Sequence, residues 1–174
     1  MSKAELLTRG TIWLTIVAYT IGSGLFALPE RIRWRDYATR FVWTTACLSL
    51  IAHIICAFQF YHDWSHSAAY VDTARQTNTV VGLNWGGGLF INYTLLLLWV
   101  ADLGWWWLSG LSSYRNRPWP LLLTWHSFLI FIIFNATVVF KDGVTRWLGV
   151  LICISLVFTW ILIVRRRQAV TIKI

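Results

Sequence analysis

Residues 144–167 read VTRWLGVLICISLVFTWILIVRRR. No side chain from Leu148 to Val164 carries a charge, and three arginines follow at once. An α-helix rises about 1.5 Å per residue, so a run of this length nearly covers a hydrocarbon core about 30 Å thick. A buried helix of a soluble domain needs no such length, nor a basic stop at its end. The stretch is therefore read as a membrane span ending at a cytoplasmic face.

The rest of the chain follows the same pattern. Of 174 residues, 57% are hydrophobic and 13% charged, against about 45–50% and about 25% in soluble domains. Mean hydropathy is +0.60. Five stretches are long and apolar enough to span: 11–28, 41–61, 89–111, 119–140 and 144–164. Pro29 closes the first, Pro118 and Pro120 punctuate the start of the fourth, and Gly86-Gly87-Gly88 precedes the third. The expected fold class is an all-α integral membrane protein, a compact bundle of about five transmembrane helices forming one domain over 1–174. Its outer loop covers 62–88.

The formal charge of +8 has two readings. In a soluble protein it would point to nucleic acid. Here the cations cluster beside apolar runs: Arg31, Arg33, Arg35 and Arg40; Arg115 and Arg117; Arg165, Arg166 and Arg167. Such clusters suit loops held at an anionic leaflet, and nucleic acid is not an expected partner. With the N-terminus outside, the inner side carries ten Lys/Arg and the outer side five. The expected topology is N-out and C-in, in the inner (cytoplasmic) membrane of a bacterium. Tryptophan placement agrees: Trp13, Trp64, Trp85 and Trp147 fall near the outer boundary. Trp34, Trp43, Trp105 to Trp107, Trp119 and Trp160 fall near the inner one. Lys3 and Arg9 resemble the basic flank of a signal peptide, but no convincing small-x-small cleavage site precedes Pro29 and the strongly basic stretch after it resists export, so the first span is read as retained. Cys47, Cys56 and Cys153 lie inside apolar runs without CxxC spacing and read as packing residues.

Ionisable residues in spans are expensive, and each is a functional candidate. The densest set lies in and after the second span: His53, His62, Asp63, His66, Tyr70, Asp72 and Arg75. Residues 68–76 read as helix, so the second span is expected to continue outward. His62 and His66 are then i, i+4 on one helix face, a spacing that can chelate a transition metal with Asp63 or Asp72 as third ligand or orienting partner. Residues 78–88 read as a non-helical loop, either a lid over these histidines or a plain turn. His53 and His126 are a candidate pair for a b-type haem, which needs two imidazoles on opposite sides of one iron. Depth estimates match Asp102 with His126, and Asn92 with Asn135, as interhelical hydrogen bonds or, for the first pair, a proton relay or substrate site.

Ile21–Pro29, IGSGLFALP, resembles the glycine-broken first helix of the amino acid–polyamine–organocation transporters. The likeness covers nine residues and implies an unwound stretch whose free backbone groups hold a substrate's charged ends. No nucleotide loop, GxSxG or HExxH is present. Three functions are carried forward, in this order. The first is a binding or accessory subunit of a larger membrane assembly, with a protein partner or a second copy in the bilayer. The second is a membrane-embedded metal or haem protein. The third is a small transporter or channel.

Overall fold

The computed structural model describes residues 2–28, 32, 34–115 and 117–171, with backbone alone at 111, 112, 115 and 167–171. Pro29, Arg31 and Arg33, named above as a helix end and part of a basic cluster, lie outside the described residues. The elements are α1 (Lys3–Ala27), α2 (Trp34–Tyr61), α3 (His66–Val81), α4 (Gly88–Arg115), α5 (Trp119–Phe134), a π-helical turn (Asn135–Val139) and α6 (Gly143–Thr171). No strand occurs among the described residues. Five helices are long and apolar enough to cross a membrane: α1, α2, α4, α5 with its π-turn, and α6.

Threonine is tolerated inside these apolar helices because its hydroxyl bonds back to a carbonyl one turn earlier. Thr15 donates to Thr11, Thr39 to Arg35 and Thr137 to Ile133, at 2.7–3.0 Å. The ends also have local causes. Ser2 accepts from the Glu5 amide at the start of α1, and Pro120 occupies the first turn of α5, where a missing N–H costs nothing.

α3 corrects two expectations. It is a separate helix rather than an outward continuation of α2. Asp63 and Trp64 adopt positive φ (44° and 57°), the Ser65 hydroxyl accepts from the Ala68 amide, and a new helix begins at His66. The helix also runs through residues 78–81, which composition assigned to the loop. It stops at Gly82, whose φ of 73° is the left-handed cap that glycine adopts without penalty. The triple glycine serves a different purpose: a Cβ on Gly86 would overlap the backbone and ring of Tyr70. That stretch is the turn that brings the chain from α3 into α4.

The chain divides into two units. The first comprises residues 1–18 and 43–104. Its interior holds Ile16, Ala46, Cys47, Leu50, Leu95 and Trp99. The second comprises residues 19–42 and 105–174. Its interior is lined by Tyr19, Trp106, Tyr114, Leu122, Trp125, Leu129, Leu156 and Trp160. Trp43, Trp106 and Trp160, expected at an interfacial belt, are almost fully buried and belong to these interiors, whereas Trp34, Trp64, Trp107, Trp119 and Trp147 are exposed.

Two backbone features shape the second unit. Gly110 breaks α4 (φ 75°, ψ 174°), and beyond it Tyr114 stacks on Trp106 with ring centroids 4.1 Å apart. Eight residues of straight helix would separate them by about 12 Å, so the stack exists only because the helix breaks. After α5 the Phe140 amide bonds to the Asn135 carbonyl, five residues back, and the widened turn presents Thr137 to Gly149 of α6. A Cβ on Gly149 would overlap Thr137, so glycine sets that approach.

Candidate functional sites

At the corner of α2 and α3 in the first unit, Tyr61, His62, Ser67, Val71, Asp72 and Arg75 line an open groove. His62 follows the last residue of α2 and His66 opens α3, with the chain turning between them. The i, i+4 helical face that their spacing predicts is therefore not formed. His66 instead meets the Tyr93 hydroxyl at 3.1 Å and packs near the Phe90 ring. Asp63 is exposed at the turn.

Asp72 faces the groove, with one carboxylate oxygen taken by Arg75 and the other by the Gln76 amide at 2.8 Å. Partial burial opposes its charge. The hydrogen bonds from Arg75 and Gln76, with the nearby charges of Arg75 and His62, outweigh that and hold its pKa below the ordinary carboxylate value. Each oxygen thus accepts one hydrogen bond from a neighbour on its own helix. Among the described residues no three His, Cys, Asp or Glu side chains come together as a metal cluster. The i, i+4 chelate on which the metal expectation rested is not present at this corner.

Three of the remaining intramembrane candidates, His53, Asp102 and His126, each have a partner in their own unit. In the first unit, the His53 ring Nδ1–H donates to the Thr8 carbonyl at 2.9 Å, joining α2 to α1. The Trp43 indole donates to Asp102 Oδ2 at 3.0 Å, joining α2 to α4. Trp43 also packs on Trp99. Asn92 is exposed.

In the second unit, His126 is 1% exposed. Its Nδ1 lies 3.0 Å from the Tyr19 hydroxyl, and its ring stacks on Trp160 with centroids 3.5 Å apart. Trp160 in turn meets Phe26 of α1. One histidine thereby joins α1, α5 and α6. Asn135 donates to the Phe131 carbonyl of its own helix at 2.8 Å.

Sequence reasoning singled out Asp102, His126 and His53 but not the groups that receive them: Trp43, Tyr19, Trp160 and a backbone carbonyl. Depth along the span suggests the pairs, but the ten residues from Asn92 to Asp102 and nine from His126 to Asn135 do not put both in one seam of straight helices. Tyr19 and Trp43 did carry a signal, since a phenol or indole inside a span needs a hydrogen-bond partner.

The second unit also gathers cations over aromatic rings. The Arg40 guanidinium lies 4.1 Å from the Trp107 ring centroid, and that of Arg117 lies 3.5 Å from the Tyr114 centroid. Arg166 caps the end of α1 by donating to the Ala27 carbonyl at 2.6 Å, and Arg35 reaches the Leu28 carbonyl and pairs with Asp36. Arginine in these positions answers carbonyls left open at a helix end and stacks on rings, two tasks its planar fork suits.

α1 passes through Gly22 and Gly24 as continuous helix to Ala27. The unwound stretch that the transporter resemblance implies is not formed there, and the backbone groups at these glycines stay within the helix. Compared with protein-family models, curated proteins and solved structures, the chain matches none.

Proposed function

We propose that this chain is an integral membrane subunit, N-terminus outside and C-terminus inside a bacterial cytoplasmic membrane, that acts as a binding or accessory component of a larger assembly. The observation that carries the reading is the outward face of α6. Val144, Leu151 and Phe158 recur every seven residues, Trp147, Ile154 and Ile161 recur between them, and all six are exposed. The opposite face, with Cys153, Leu156, Trp160 and Ile163, is buried within the second unit. A three-four spacing of large apolar side chains is the seam by which one helix docks on another in left-handed packing. Meanwhile His53, Asp102 and His126 all act as links between helices, a use that stiffens a scaffold.

The test places a photo-crosslinking residue at Leu151 or Phe158, and for comparison at Leu48 or Leu97, which are exposed on α2 and α4 of the first unit. Protein adducts at the α6 positions and none at the other two are expected. Lipid adducts alone at all four positions would show that α6 faces only the bilayer, and the reading would be abandoned.

A further inference from the structure

Tyr19, Ser23 and Phe26 occupy one face of α1, at i, i+4 and i+7. Tyr19 meets His126 and Phe26 meets Trp160, so Ser23, bracketed between them, faces the seam that α1 makes with α5 and α6. Ser23 is fully buried and Trp160 is 3% exposed. The Ser23 hydroxyl and the Trp160 indole N–H have no hydrogen-bond partner among the described residues.

Ser23 contrasts with several other helical hydroxyls among the described residues. Other helical hydroxyls, those of Thr8, Thr11, Thr15, Thr39, Thr73 and Thr77, bond to a carbonyl one turn back. Ser23 has the same local option and does not use it. Buried polar groups are nearly always partnered, and an unmet donor is most costly where water is scarce.

We infer that the seam between α1, α5 and α6 is a binding site for a water molecule beside His126, held by the Ser23 hydroxyl and the Trp160 indole N–H. The chemistry sets the guest. Trp160 can only donate, so the guest must accept; Ser23 both donates and accepts. His126 already spends Nδ1 on Tyr19. A single water meets both demands without introducing a charge, and buried waters occupy such polar sites in globular proteins.

The experiment uses the full chain in lipid bilayers with the tryptophan indoles labelled with nitrogen-15. The Trp160 signal among the thirteen tryptophans is assigned by its loss in Trp160→Phe. Short-mixing magnetisation transfer from water to the Trp160 indole is expected in the unmodified protein and should be lost in Ser23→Ala. No transfer in the unmodified protein overturns the site outright, whatever the variant does. Transfer that persists unchanged in Ser23→Ala removes Ser23 from it and overturns the assignment. Thermal melting gives an independent readout. Ser23→Ala should lower the melting temperature if it strands a bound water. It should leave that temperature unchanged or raise it if the hydroxyl was simply dry, which contradicts the inference.

Discussion

The Trp43 indole and the Asp102 carboxylate make the residue-scale case clearest, because each solves the other's burial problem. An acid inside an apolar span needs donors, and an indole N–H has no use except as one. Trp43→Phe removes the donor together with the five-membered ring, so at this buried position its effect sums an unmet carboxylate and a small cavity. It should destabilise the protein by at least about 1–3 kcal/mol, whereas Asp102→Asn, which keeps an acceptor oxygen and the indole, should cost less. Melting in detergent checks both, with Trp147→Phe on the exposed face as the reference. A Trp43→Phe effect no larger than that reference would mean the bond carries no stability.

Asp72 supplies a pH dependence of defined sign. Its carboxylate titrates below the ordinary range when folded, so its charge contributes stability in full above the ordinary carboxylate pKa. That contribution is lost as pH falls through the lowered value. The side chain is partly exposed, so the effect is small and local. Amide exchange along α3 should quicken in acid relative to neutral pH, after correction for the intrinsic rate, and Asp72→Asn should abolish the difference. An unchanged acid dependence in the variant would assign it to another group.

At the scale of the element, glycine does two unlike things. Gly149 is needed for space, because a Cβ there would overlap Thr137. Gly149→Ala should therefore cost about 1–3 kcal/mol through overpacking between α6 and the π-turn. Gly104 sits in α4 with open space around it, and Gly104→Ala should be neutral or stabilising by up to about 1 kcal/mol from helix propensity alone. Equal effects of the two substitutions on the melting temperature would refute the packing account. Gly82 is needed instead for its backbone angle, and the π-turn for its extra residue. Neither the π-turn nor the α4 break at Gly110 has a sequence signature that distinguishes it from ordinary helix.

For the whole molecule, the proposed orientation rests on the cations. Ten of fifteen Lys and Arg fall on one side if the five apolar helices cross in alternation, and the arginine stacks on Trp107 and Tyr114 place part of that set against aromatic rings. A fluorescent reporter fused after Ile174 should fold and fluoresce in bacterial cells, while an exported phosphatase fused at the same point should be inactive. The opposite pair of results would overturn the proposed orientation and place the groove of His62 and Asp72 on the cytoplasmic side.

The helical class and the five apolar stretches are legible in the sequence because hydropathy and length are local sums. Replacing one residue or shifting a boundary by two hardly alters them. Partnership between side chains is not such a sum. Each residue along a helix turns the side chain by about 100°, so a boundary error of two residues moves Asp102 or His126 to another face, and depth alone leaves the azimuth open. Only the tertiary structure decided that Asp102 receives Trp43, that His126 is held between Tyr19 and Trp160, and that His62 and His66 stand on either side of a helix break. The break itself lay beyond the reach of propensity, since it turns on positive φ at Asp63 and Trp64, a conformation uncommon outside glycine.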